Sequence, residues 1–194
     1  FLARDLFLFL LFFEITLVPM FFLIGIYGLQ EREKAANQFL IYNGIGSALM
    51  IVAFLMIIAT AGMNAEGSSF VYTGSYEVIY ANLHDPASLV NAGGMFSPFI
   101  QNPFFLSETF RILTFVLIFI AFGIKLPVFP FHTWMLRVHA EAPPPTVMLH
   151  SGVQLKMGAY GLLKFGVFLF PDIALNWAPL IAALGVTNIL YGAI

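Results

Sequence analysis

The sequence predicts an all-α polytopic membrane protein of about five transmembrane helices, one of them broken by prolines. Three observations predict it. Of 194 residues, 60% are hydrophobic and 9% charged, whereas ordinary soluble domains carry about 25% charged residues. Mean hydropathy is +0.92. The apolar residues gather into runs of roughly the 20 residues that a helix needs to cross a hydrocarbon layer.

The elements follow in order. The first apolar run, 6–29, holds one acid and one proline. A short charged linker, QEREKAAN at 30–37, separates it from a second run at about 38–62. Residues 63–108 hold glycine, proline and several acids and are too polar to span; within them 75–83 carries a weak signal for a short surface helix. The third run starts near Thr109 and reaches about residue 131. Apolar Phe131, Trp134, Met135 and Val138 at i, i+3, i+4 and i+7 predict that the helix resumes beyond a break, to about residue 138. Pro143, Pro144 and Pro145 prepare a fourth helix over about 145–170, because proline suits the first helical turn. A fifth starts near Ala174 and runs to 194. The chain begins without methionine and stops inside an apolar run, so it reads as a piece of a longer protein, a single transmembrane domain fragment with no signal peptide in view.

Composition also excludes function classes. A net charge of −2 gives no support for a nucleic-acid partner. With no cysteine, disulfides, thiolate metal sites and cysteine-ligated iron–sulfur clusters are excluded. The histidines at 84, 132, 139 and 150 show no ligand spacing, so no metal centre is expected. Basic residues orient the chain. Arg32 and Lys34 lie in the first linker, whereas 63–109 contains no Lys or Arg but holds Glu66, Glu77, Asp85 and Glu108. The positive-inside rule puts the linker on the cytoplasmic side (matrix or stromal in an organelle) and the long loop on the other. Alternation then returns the connection carrying His132, Arg137 and His139 to the inner side.

Three ionisable residues stand inside apolar runs: Glu14, Lys125 and Lys156. A charge at the centre of a membrane helix costs about 2.5–3.5 kcal/mol, so such groups pair, face a wet interior or carry protons. At about 1.5 Å per residue, Glu14 lies about 12 Å, Lys125 about 20 Å and Lys156 about 15 Å into their helices. All three share the middle of a layer about 30 Å thick, the depth that lateral transfer along the membrane requires. The bland alternative is a structural Glu14–Lys125 salt bridge, a poor stabilising device because desolvation offsets the Coulomb gain. Prolines sharpen the functional reading. Pro19 frees the carbonyl of Ile15 beside Glu14, and Pro127 and Pro130 free those of Gly123 and Leu126, flanking Lys125. Broken helices at membrane depth are tolerated where protein or water satisfies the backbone. His150 is either a relay or a hydrogen-bonded packing residue. His132, His139 and Glu141, at the inner surface, are candidate relays for proton uptake or ordinary capping groups. Lys164, near the outer end, reads as snorkelling.

The segments FFEITLVPMFFLIG (12–25), KLPVFPFHTW (125–134), HAEAPPP (139–145) and LHSGVQLKMGAYGLLKFG (149–166) resemble the antiporter-like, proton-translocating membrane subunits of respiratory complex I (NADH:quinone oxidoreductase), the subunit M or mitochondrial subunit 4 type. The resemblance covers four of the five helices. It implies a fourteen-helix subunit with two inverted five-helix repeats, each with a broken helix, of which this chain holds the fifth to ninth. It further implies that Glu14 pairs with Lys125 and that Lys156 passes protons onward. Two departures are visible. WMLRVHAEAP lacks the family's Leu-Pro-Asp-Ala before the histidine, and LHSG carries a histidine resembling subunit L and the multisubunit cation/proton antiporters.

The expectation is therefore proton translocation through a buried Glu/Lys row by a non-redox subunit, a translocase component with no redox chemistry of its own. Redox energy released elsewhere opens the Glu14–Lys125 pair, and the proton on Lys125 moves towards Lys156. No cofactor is expected in this chain; flavin, iron–sulfur clusters and quinone belong to partner subunits. Expected partners are the other membrane subunits of a complex I-like assembly and lipid. The expected location is a bacterial cell membrane, alternatively an inner mitochondrial or thylakoid membrane. The rivals are a subunit of a multisubunit cation/proton antiporter and a membrane scaffold with an idle ion pair.

Overall fold

In a computed structural model of the chain, the described residues are 2–66, 69–85 and 108–193. The first apolar run forms α1 (Leu6–Ile15) and α2 (Leu17–Tyr27). Asp5 starts α1, its carboxylate accepting from the N–H of Phe7 at 2.7 Å and of Leu8 at 3.3 Å, which satisfies donors that a helix start leaves free. The division falls at Thr16, three residues before Pro19, which has no N–H for the Ile15 carbonyl. The backbone tightens there: the Thr16 N–H and Oγ both donate to the Phe13 carbonyl, at 3.3 and 2.7 Å.

The second helix, α3 (Arg32–Ala61), begins six residues before the expected 38. Most of the supposed linker is thus its first turns. Ala35 and Ala36 are buried against Leu17, Met20, Ile24 and Trp134, and Lys34 pairs with Glu31 at 2.8 Å. That contact holds the Glu31 carboxyl below the usual carboxylate range. After α3 come an antiparallel hairpin, β1 (Met63–Glu66) with β2 (Ser69–Tyr72), Met63 opposite Tyr72, and α4 (Tyr76–His84). The expected loop of 63–108 therefore carries some regular structure; its residues 86–107 lie outside the described residues.

The third run forms α5 (Glu108–Lys125), which stops short of the expected 131, and resumes as α6 (Thr133–Glu141). Pro127 enforces the stop. The Gly123 carbonyl that it deprives is taken by the Val128 N–H at 2.8 Å, so protein satisfies it. The Phe129–Pro130 bond is cis. The fourth helix comprises α7 (Pro144–Leu149), a wide π turn over His150–Gln154, α8 (Leu155–Gly161) and a second π turn over Leu162–Val167. The last, α9, runs Pro171–Ala193. Among the described residues, Leu6–Tyr27, Arg32–Ala61 and Pro171–Ala193 are long and apolar enough to cross a membrane.

Backbone ties group the ends. The Leu6 N–H donates to Gly74 O at 2.9 Å and the Tyr76 N–H to Arg4 O at 2.8 Å, gathering the starts of α1 and α4. At the opposite end the Leu29 N–H donates to Glu141 O at 2.8 Å. We call the first end outer and the second inner, after the loop charges. An aromatic cluster of Phe9, Phe13, Phe54, Phe115, Phe122 and Phe165 fills the outer half. A smaller cluster around Ile24, Phe39, Trp134 and Val138 fills the inner half. α3 packs closely on α5 at Gly46, where a Cβ would lie 3.2 Å from the Ala121 carbonyl.

Candidate functional site

Lys125 is the last residue of α5, at the helix break, and is 2% exposed. Its Nζ donates to Ser47 Oγ at 2.8 Å and to Glu14 Oε1 at 3.4 Å, and stands 4.3 Å from the Phe13 ring centroid. Three elements thus converge on one ammonium: the kinked end of α1, the middle of α3 and the broken end of α5. The Ser47 hydroxyl donates its own hydrogen to Asn43 O at 2.8 Å, which leaves its lone pairs to accept from Lys125. Asn43 in turn donates to Phe39 O at 2.9 Å. The Glu14 side chain is 28% exposed where Lys125's is 1%, so the pair has one dry member and one that reaches the edge of this chain. Phe13 adds an aromatic face to the lysine, a favourable cation–π placement.

The other expected members are placed separately. Lys156 on α8 is exposed and makes no hydrogen bond or ion pair among the described residues. Its helix nevertheless abuts the break: a Cβ on Gly158 would stand 3.3 Å from the Lys125 carbonyl carbon and 3.2 Å from the Leu126 nitrogen. The structure does not join Lys156 to the Glu14–Lys125 pair. It does join two of the histidines: His139 Nε2 and His150 Nδ1 are 3.0 Å apart. His150 is fully buried, its ring boxed by Phe39 and Trp134 at 5.9 and 5.5 Å. His132 stands elsewhere, stacked on Phe129 and edge-on to Tyr191, with both ring nitrogens buried and unpartnered among the described residues. Glu141 acts as a clamp, its carboxylate accepting from the Glu31 N–H at 2.9 Å. Lys164 does not snorkel into solvent. It donates to Ala3 O at 3.0 Å and to the Tyr160 hydroxyl at 2.9 Å, over the Tyr76 ring.

Four participants were given no role at the site by the sequence. Ser47 binds Lys125, and Asn43 and Ser47 at i and i+4 in an apolar run were the signal for it. Trp134 Nε1 donates to the Ile124 carbonyl at 3.1 Å, and Asn188 Oδ1 on α9 accepts the Phe129 N–H at 2.8 Å. These two bonds satisfy backbone groups that the break exposes. Gln154 is buried on the π turn beside His150. Among the described residues no group of three or more His, Cys, Asp or Glu could hold a metal ion.

A family profile described as NADH:quinone oxidoreductase/Mrp antiporter, transmembrane, matches residues 3–194. The chain is 39% identical over 197 residues to NAD(P)H-quinone oxidoreductase chain 4 2 of Thermosynechococcus vestitus, a match that covers all of this chain and 31% of that protein. It is 36% identical over 194 residues to NAD(P)H-quinone oxidoreductase chain 4 1 of Synechococcus elongatus, again over all of this chain and 31% of the relative. A chain of respiratory complex I from Thermus thermophilus with bound NADH superposes with a TM-score of 0.75 at 27% identity, over 98% of this chain and 34% of that one. This chain therefore spans about a third of the length of these relatives.

Proposed function

The chain belongs to the NADH:quinone oxidoreductase/Mrp antiporter transmembrane family, and from that premise we propose that it is part of a proton-translocating, non-redox membrane subunit of a quinone oxidoreductase of the complex I kind. The observation that carries the reading is the buried Lys125 ammonium, held by Ser47 and Glu14 at a helix break. Nothing about helix packing needs a charge there, and burying one is costly. A residue held by one hydroxyl and one partly exposed carboxylate is poised to release its proton when the carboxylate moves. Loss of the Glu14 contact removes the counter-charge that favours the ammonium. The proton then leaves Lys125 Nζ, which becomes a neutral amine, and the acceptor in this reading is the neutral amine of Lys156 on the adjoining helix, which becomes an ammonium. The exposure of Lys156 supports a location on a face that other helices of the full subunit cover.

In this reading the flavin, iron–sulfur clusters and quinone sit in partner subunits, in keeping with a chain that has no cysteine. The partners are the remaining membrane subunits and lipid. That the relatives named above are cyanobacterial quinone oxidoreductase chains favours this assembly over a free-standing antiporter, in a bacterial cell membrane or a thylakoid. The test is Lys125→Met in the full-length protein, in its complex. Membrane vesicles should show normal complex content and little proton uptake. Full pumping by that variant would overturn the proposal.

A further inference from the structure

The break between α5 and α6 has four backbone N–H groups over 126–131, since Pro127 and Pro130 have none. Three of them are satisfied at home: Leu126 donates to Phe122 O at 2.7 Å, Val128 to Gly123 O at 2.8 Å and Phe131 to Val128 O at 2.7 Å. The fourth, on Phe129, goes to another helix, to Asn188 Oδ1 on α9 at 2.8 Å. A backbone N–H only donates, so it fixes which end of the amide faces the break. The neighbouring Thr187 uses its hydroxyl on its own helix, donating to Ala183 O at 2.8 Å. Of the two, Asn188 is the one that reaches across.

Tyr191, about one turn further along α9, joins the same contact. Its ring lies 4.8 Å from His132 and 5.9 Å from Phe129, and Phe129 stacks on His132 at 5.6 Å. The other attachment of α9 is at its outer end, where Ile173 and Ala174 are buried and Trp177 meets Phe115 at 5.9 Å. The break pinned in this way begins directly after Lys125, the last residue of α5. Lys125 Nζ stands 3.4 Å from Glu14 Oε1, whereas charge-assisted bonds of this kind usually measure about 2.7–2.9 Å. The contact is at the edge of its range, so a small shift of the break decides whether it is made.

We propose that Asn188 is a positioning residue: it pins the break through the Phe129 N–H and so sets the distance from Lys125 Nζ to Glu14. The proposal rests on the reading of Lys125 as a proton carrier. Without the amide oxygen the Phe129 N–H is left unpaired at membrane depth, where an unsatisfied backbone group is costly. The segment then turns towards another acceptor, and Lys125, joined to it directly, moves with it. Asn188 itself neither gains nor loses a proton. It acts on the Glu14–Lys125 pair through the backbone of the break.

The experiment uses the complete complex in sealed membrane vesicles and measures assembled complex, uncoupled quinone reduction and proton uptake together. Asn188→Leu keeps the size and removes the acceptor. Its pumping per complex should fall about fivefold, the scale of one hydrogen bond, with complex content and uncoupled quinone reduction unchanged. Asn188→Asp keeps an acceptor oxygen in the same place and should retain most of the pumping. A double-mutant cycle with Glu14→Asp, whose carboxylate stops one methylene short of Lys125, tests the route. If Asn188 works through the Glu14 distance, Asn188→Leu costs little more once that contact is already out of reach. A packing role predicts that the two losses multiply and that Asp is no better than Leu, and either result overturns the proposal. Normal pumping by Asn188→Leu overturns it too. If Asn188→Leu lowers complex content, Asn188→Ala supplies the same comparison. Normal pumping by Lys125→Met would instead sink the carrier reading itself, so the two failures are distinguishable.

Discussion

The outer and inner halves of this chain are built from different materials. The outer half is packed by Phe9, Phe54, Phe115, Phe122 and Phe165, with ring pairs such as Phe9–Phe165 at 4.9 Å and Phe54–Phe165 at 5.0 Å. Its cation Lys164 is engaged by a carbonyl, a hydroxyl and an aromatic face. In the inner half the aromatic residues are interleaved with Asn43, His132, His150 and Gln154, and several of their polar atoms lack partners among the described residues. Lys125 lies where the two meet: Phe13 and Phe122 belong to the outer cluster, Ser47 and the break to the polar side. Lys125 thus has aromatic neighbours on one side and polar ones on the other.

The largest expected effect comes from cutting the ion pair at that boundary. Glu14→Gln keeps the volume and removes the counter-charge of Lys125. Pumping per assembled complex should fall on the order of a hundredfold, the usual scale of a lost proton-transfer group, while assembly stays near normal. Vesicles with normal complex content and near-normal pumping would break the comparison, because the lysine would then work without its partner.

The outer half should answer in the opposite way. Phe54→Ala removes a ring, 2% exposed, that touches Phe9, Phe122 and Phe165. Lipid is as apolar as this core, so the transfer share of the cost drops out and the cavity share remains. The loss should be about 2 kcal/mol, seen as a lower melting temperature of the complex, with normal pumping in the molecules that assemble. Loss of pumping at full stability would show that the aromatic plug takes part in conduction.

The same contrast explains what could be read from the sequence. Long apolar runs declare spanning helices, because lipid demands them wherever they lie. An acid or a lysine inside such a run announces itself for the same reason, so Glu14, Lys125 and Lys156 stood out, and the structure brings the first two together. Prolines at 19, 127 and 130 announced interruptions, and the chain is interrupted beside the first and across the other two. Their compensation was illegible, since the Trp134 and Asn188 bonds depend on how helices are set against one another, and the Val128 bond on how the chain turns at the break. The start of α3 was misread because charged residues signal a linker and a helix end equally well. The π turns have no sequence signature.

A smaller effect is expected from Ser47, the contact that the sequence reading passed over. Ser47→Ala removes the 2.8 Å bond to Lys125. Hydrogen bonds to charged groups contribute about 1.5–3 kcal/mol, and the low end applies because Glu14 and the Phe13 face remain. Ser47→Thr keeps the hydroxyl and should restore pumping, though its methyl must fit where α3 meets α5. Equal pumping by the Ala and Thr variants would make Ser47 a packing residue and leave Lys125 with Glu14 alone.

The smallest effect on folding, and the sharpest test of lateral transfer, belongs to Lys156. An exposed side chain with no partner among the described residues changes stability by about 0.5 kcal/mol or less when truncated, so Lys156→Ala should leave this part of the chain folded. A relay makes a further demand. The side chain must release its proton as well as carry charge, and a guanidinium does not do so at accessible pH. Lys156→Ala should therefore impair pumping, and Lys156→Arg should rescue it poorly although it keeps the charge. A group that only supports the field around Lys125 predicts full activity in the Arg variant. Measuring proton uptake and assembled complex for both variants decides between a lateral way out through Lys156 and a proton that leaves Lys125 by another neighbour.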